Sequence, residues 1–207
     1  MKKEKWLSLL KRQKTTKNSE NIYKDLLLRY KESHRRYHNL SHLKECFVEF
    51  EKVAHLLKNP DSVEMAIWYH DAIYNPKKQD NEEKSAMLFL KNAKELCLSD
   101  IFKKDISQLI LETKHQKPPK ENDAKFLIDI DLSILGKNKK RFEKYEEQIR
   151  EEYCFVPKKE FNQKRKAFLE SLLKRQNIYS TSFFKDKYER KTRENLANSI
   201  NLLKTSS

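Results

Sequence analysis

Only one residue in this 207-residue chain, Gly136, lacks a Cβ, and only five are prolines. Two-residue β-hairpins need positive φ and therefore lean on glycine, so a hairpin-rich sheet has almost nothing to turn on here. Few backbone breakers leave long helices joined by short polar loops as the economical reading. The apolar spacing agrees. From Asn39 through "LSHLKECFVEFEKVAHLL", Leu43, Cys46, Phe47, Phe50, Val53, Ala54 and Leu57 form one continuous stripe at helical period. Ile22, Leu26 and Tyr30 recur in the same way in "ENIYKDLLLRYKES", with Ser19 placed to cap that helix.

The segment "NPDSVEMAIWYHDAIYNP" is bracketed by Asn-Pro at both ends and predicts one helix of about three to four turns. Its centre, "MAIWYH", is apolar nearly all round, which predicts deep burial. Asp80 followed by Glu83 reads as an aspartate version of the capping box, opening "NEEKSAMLFLKNAKELC". Ser99 starts "DIFKKDISQLILETKH"; after the loop "QKPPKEND" comes "AKFLIDIDLSILG", with Gly136 where a terminating C′ glycine would sit. Helices over about 138–153, 158–175 and 183–204 complete the chain. The expected fold is all-α: a single helical domain over residues 1–207, with a core of about 20–153 on which helices 158–204 pack.

Hydrophobic and charged residues each make up 37% of the chain, and the net charge is +14. Residues 137–207 carry 19 Lys and Arg against 10 Asp and Glu, so the basic excess concentrates in the last third. Glutamates interleave throughout, which favours a solvated lysine-rich helical surface over a pure nucleic-acid tail. Such a charge still attracts polyanions and phosphorylated metabolites. Cys46, Cys97 and Cys154 are odd in number and widely separated, with no CxxC pair. Reduced thiols in a cytoplasmic protein are the expectation. The apolar run in "MKKEKWLSLLKRQKTTK" is only "WLSLL", too short for a signal segment or a membrane span.

The residues fit for chemistry begin with "AIWYHDAIY", where His70 and Asp71 are adjacent and polar inside the most apolar segment. Burying an ionised carboxylate is expensive unless a cation or several donors compensate. A metal ion would compensate both residues; hydrogen bonds to backbone at a helix end would also serve. His38 and His42 in "RRYHNLSHL" lie one helical turn apart, and "LIDIDLSILG" supplies Asp129 and Asp131. Two imidazoles with two carboxylates suit Mn²⁺, Fe²⁺, Co²⁺, Ni²⁺ or Zn²⁺, with a second ion such as Mg²⁺ possible through a bridging carboxylate. Spacing alone lets either His38 or His42 be the ligand. Asp129 and Asp131 are roughly 200° apart around a helix, so only one can face the site.

The ordered pattern His…His-Asp…Asp on an all-α scaffold resembles the HD-domain metal-dependent phosphohydrolases. The segments "RRYHNLSHL", "AIWYHDAIYNP", "DNEEKSA", "ETKH", "LIDIDLSILG" and "YERKTRENL" resemble a bacterial branch known only as predicted phosphohydrolases. "YHNLSHL" is also similar to the Tyr-His-Asn-x-x-His motif of cyclic-nucleotide phosphodiesterases. The resemblance implies His42, His70, Asp71 and Asp131 as metal ligands for one or two divalent ions, with Asp129 behind them. It implies His38 as the acid that protonates the leaving oxygen, and Glu82, beside Asn81, as a carboxylate that positions water. Asn39, His115, Arg190 and Arg193 would contact substrate. His115 reads equally as a loop-edge histidine, and Arg190 and Arg193 as surface partners of Glu189 and Glu194. His34 and His55 read blandly, the latter as a partly buried histidine near a helix C-terminus.

The implied function is hydrolysis of a phosphomonoester or phosphodiester of a small metabolite, a nucleotide foremost, by attack of metal-bound hydroxide. The chain is shorter than cyclic-nucleotide phosphodiesterase domains and lacks a recognisable purine-selecting glutamine, so a cyclic nucleotide is not implied. One alternative is a non-catalytic HD-type sensor that binds metal and nucleotide. A third reading, a basic helical nucleic-acid-binding protein, rests on charge alone. It predicts a steep fall of nonspecific DNA affinity with salt; a flat salt titration removes it.

Overall fold

In the computed structural model, which describes residues 3–15, 17–115 and 118–205, the chain is all-helical. Ten α-helices and no strand occur among the described residues. The chain divides into two compact units, Met1–Ile130 and Asp131–Ser207. No helix among the described residues is long and apolar enough to cross a membrane.

The first unit is organised around a buried helix. Helix α1 (Lys3–Arg12) buries Trp6, Leu9 and Leu10 of the "WLSLL" run. After it come α2 (Ser19–Arg29), α3 (Leu40–Val53) and α4 (Pro60–Tyr69). In α4 every residue from Ser62 to Tyr69 is buried, as its all-round apolar sequence demands. It packs against α1, α3, α5 (Asn81–Glu95) and α6 (Asp100–Glu112). Trp68 is at the centre of an aromatic cluster with Trp6, Tyr23 and Phe47, at ring-centroid distances of 5.5, 6.0 and 5.0 Å. Edge-on and tilted pairs of this kind add to the area they bury. Helix α7 (Asn122–Leu132) crosses the unit boundary, and its last turn carries Asp131.

Several local expectations differ from the structure. Ser19 is already inside α2; Asn18 holds the cap position at φ 52°, a left-handed conformation asparagine tolerates. Asp80 precedes α5 without a side-chain cap bond and pairs instead with Lys84 at 2.9 Å, while Glu83 pairs with Lys114. The capping box therefore does not form, because each carboxylate finds a lysine. Helix α4 ends at Tyr69, earlier than the second Asn-Pro suggested. His55 is exposed in a 3₁₀ turn, Ala54–Leu56, rather than partly buried. Ser99 does cap α6, accepting from the Phe102 N–H at 3.3 Å.

In the second unit a 3₁₀ turn, Ser133–Gly136, leads to α8 (Lys139–Glu152), α9 (Lys158–Leu173) and α10 (Ser182–Thr205). The Tyr179 hydroxyl donates to the Leu132 carbonyl at 3.1 Å, and the Asn195 amide donates to those of Leu135 and Lys137 at 2.8 and 2.9 Å. These side chains satisfy carbonyls left open where the helix ends. Gly136 does not adopt positive φ, so it is not a left-handed helix stop. Its reason is space: a Cβ there would lie 2.6 Å from Tyr188 Cβ. Gly136→Ala is expected to cost about 1–3 kcal/mol through overpacking, read as a lower urea midpoint. An unchanged midpoint would show that the turn and Tyr188 move apart freely.

Candidate metal centre

Two short segments meet at the C-terminal end of α4. The turn before α3 carries His38, and Asn39 caps that helix by accepting from the Ser41 N–H at 2.8 Å. The cap sets the first turn of α3, which places His42 on its buried face. His70 is the C-cap residue of α4, and Asp71 follows as the chain turns away.

Arg35 ties these segments together. Its side chain is fully buried. Nη1 donates to the carbonyls of His38 (3.0 Å) and Asp71 (2.7 Å), and Nη2 to that of Ala72 (3.1 Å). Nε donates to Glu32 at 3.0 Å. The guanidinium lies 5.3 and 5.5 Å from the ring centres of Tyr30 and Tyr74. Charge-assisted bonds to three carbonyls hold the backbone of the His38 turn against that of the His-Asp turn.

The result is a triangle of donor atoms. His42 Nε2 lies 3.0 Å from His70 Nε2; Asp71 Oδ2 lies 3.4 Å from the first and 3.2 Å from the second. His70 Nδ1 is 2.9 Å from the Ile67 carbonyl, which only accepts, so Nδ1 carries a proton and Nε2 is the nitrogen turned toward His42 and Asp71. For ligands about 2.1 Å from a common ion, neighbouring donors are about 3.0 Å apart at 90° and about 3.4 Å apart at the tetrahedral angle. All three edges fall in that interval. The backbone bond foreseen for a histidine at a helix end is made by one ring nitrogen, and the other faces His42 and Asp71.

A second set overlaps the triangle at the two histidines: ligand atoms of His42, Cys46, His70 and Asp131 all lie within 4.8 Å of one another, a set that does not include Asp71. This buried cluster is able to hold a metal ion. Of Asp129 and Asp131 on α7, Asp131 is the one in the cluster, whereas Asp129 is completely buried. Cys46 was not singled out from sequence as a donor. The signal was its position four residues after His42, which places both on one helical face. Its place in an apolar stripe disguised it as core.

Burial by itself would push the Asp71 carboxyl up. The charges of His70 and His38 and the hydrogen bonds from His42 and His70 outweigh it and hold Asp71 well below the usual carboxylate range. His38 is half-buried at the rim, stacked on Tyr74 at 4.1 Å and 5.9 Å from the His42 ring. Glu82, in the first turn of α5, moves the other way. Burial raises its carboxyl, the helix N–H opposes that, and the Asp71 charge raises it further.

Three of the remaining expected residues, Asn39, Arg190 and Arg193, have partners of their own. The Asn39 amide donates to the Arg36 carbonyl at 2.7 Å, so its side chain serves the turn. His115 follows α6 at φ 56°, beside Lys114, which pairs with Glu83. On α10, Arg190 is 88% exposed and pairs with Glu194. Arg193 pairs with Glu189 and donates to the carbonyls of Leu173, Arg175 and Gln176, closing the C-terminal end of α9.

A lysine at position 35 offers one ammonium to carbonyls that a planar fork reaches together. Arg35→Lys is expected to lose about 2 kcal/mol of stability and to weaken metal binding by about 10–100-fold, as loss of an outer-shell partner does. Urea unfolding and metal titration check both. Wild-type behaviour in both would show that the clamp does not set the geometry.

No family model matches the chain, and neither does any curated protein or solved structure.

Proposed function

We infer that the chain is a metal-dependent phosphohydrolase of the HD type, acting on a small phosphorylated compound, with a nucleotide as the first candidate. The observation that carries the reading is the triangle of His42 Nε2, His70 Nε2 and Asp71 Oδ2, with edges of 3.0, 3.2 and 3.4 Å. Three electron-pair donors held this close repel one another unless a proton or a cation lies among them. His42, His70, Asp71 and Asp131 hold the ion. A divalent cation bound there polarises phosphoryl oxygens and makes water a stronger nucleophile near neutral pH.

The chain's own groups divide the remaining work. Asp71 stays ionised through the working pH range, because the surrounding imidazoles hold its carboxyl low. His38 stands at the rim beside these groups, stacked on Tyr74 and not fully enclosed. From there it offers a proton to the departing oxygen of a substrate seated over the ion. Glu82 retains its proton to a higher pH than an ordinary glutamate and lies within electrostatic reach of Asp71. That suits it to orient a water molecule and take up its proton. The net charge of +14 favours the approach of an anionic substrate over a cationic one.

The test is elemental analysis of the purified chain with phosphate-release assays across nucleotide and sugar phosphates in added Mn²⁺. Asp71→Ala is expected to lose both metal and turnover. His38→Gln is expected to keep its metal and lose about 10²-fold or more in turnover, the usual weight of a general acid. Failure to take up Mn²⁺, Co²⁺, Ni²⁺ or Zn²⁺ would overturn the metal centre. Turnover unaffected in His38→Gln would remove that residue from the chemistry.

A further inference from the structure

Cys46 lies on α3 one turn beyond His42, 2% exposed, and reads at first as part of the helix's apolar stripe. Its surroundings say otherwise. The sulfur is 3.7 Å from His42 Nε2 and 3.8 Å from Nδ1. A sulfur lying in the ring plane at equal distance from both nitrogens would press into the carbon between them, so it sits over the face of the imidazole. It also lies within 4.8 Å of the donor atoms of His70 and Asp131.

We propose that Cys46 is a thiolate ligand of the metal centre, so that the site takes a borderline ion such as Zn²⁺, Fe²⁺ or Co²⁺ in preference to Mg²⁺, Ca²⁺ or Mn²⁺. The proposal rests on the metal centre put forward above and adds a donor to it. With a metal–sulfur distance of about 2.3 Å and a metal–nitrogen distance of about 2.1 Å, sulfur and nitrogen are about 3.6 Å apart at the tetrahedral angle. The sulfur lies over the ring face, at 3.7 Å from Nε2 and 3.8 Å from Nδ1, and a rotation about the Cys46 Cα–Cβ bond has to bring it toward a metal on the in-plane Nε2 lone pair. A sulfur donor favours tetrahedral sites, which zinc and cobalt adopt readily and magnesium does not. Thiolate is a soft donor, and hard cations gain little from it.

Charge balance supports the same assignment. Asp71, Asp131 and a Cys46 thiolate bring three negative charges against two on the ion. The Arg35 guanidinium, buried behind Asp71 and bonded to its carbonyl, supplies the missing positive charge close at hand. Coordination releases the thiol proton to solvent, and no redox change is involved.

The experiment uses the full chain with the two exposed cysteines replaced, Cys97→Ser and Cys154→Ser, so that Cys46 is the one sulfhydryl left. The protein is stripped of metal and titrated with Co²⁺ while the absorption spectrum is followed. A thiolate-to-cobalt charge-transfer band in the near ultraviolet, saturating with the visible d–d bands, is the expected result. Visible bands without the charge-transfer band would overturn the proposal and leave the metal centre standing. Absence of any cobalt binding would overturn both. In the same background Cys46→Ser is expected to abolish the band and weaken Zn²⁺ binding by at least about 100-fold, more than loss of an outer-shell partner does. Its Mn²⁺ affinity is expected to stay nearly unchanged, and an equal loss for both ions would overturn the claimed preference. The charge-transfer readout on the Cys46-containing protein decides the ligand question even where Cys46→Ser fails to fold.

Discussion

The site depends on the buried guanidinium of Arg35. A cation taken out of water is costly, and here the cost is offset by carbonyls of His38, Asp71 and Ala72, by Glu32, and by two tyrosine rings. Those carbonyls belong to two segments more than thirty positions apart in the chain. Joining their backbones through one rigid fork fixes the distance between α3 and the end of α4 more tightly than side-chain packing alone. The planar guanidinium is suited to this, since its donors diverge at set angles.

What the clamp brings together differs from several other acid contacts in the molecule. Glu64 faces Arg12, Glu49 faces Lys52, and Glu146 faces Arg165. Asp71 is met by two imidazoles whose ring nitrogens point at one another. A carboxylate ringed by imidazoles carries less compensating charge than one beside a lysine or arginine, and it suits a cation. Folding energy comes from the aromatic packing of Trp68 and its neighbours in the same helix. The polar residues at the end of that helix are thus carried on a rigid support.

Much of this was legible in advance, for identifiable reasons. Helical period and the scarcity of glycine specify α3 and α4 from their own residues, because amphipathic spacing is a local property. The order His42, His70-Asp71, Asp131 was visible because polar residues stand out in apolar segments. Caps were less legible. Ser19 and the Asp80–Glu83 pair have the right chemistry, but Asn18 can take the left-handed turn and nearby lysines claim both carboxylates. Gly136 looked like a helix stop, yet the reason for it is a tyrosine fifty-two positions later. Nothing in the sequence marked Arg35, whose role comes from carbonyls distant in the chain, and Cys46 sat in an apolar stripe.

The amino-acid sequence by itself determined an all-helical protein, the deep burial of "MAIWYH" (residues 65–70), and a set of candidate donors in a fixed order. Only the tertiary structure decided which donors converge. It put Asp131 rather than Asp129 in the cluster, set His38 at the rim with His42 inside, and added the Cys46 sulfur over the His42 ring. The reason is one of range. Helix formation and amphipathic burial follow from spacing within a few turns, whereas coordination geometry follows from tenths of an ångström between segments. Those distances are set by long-range contacts such as the Arg35 clamp.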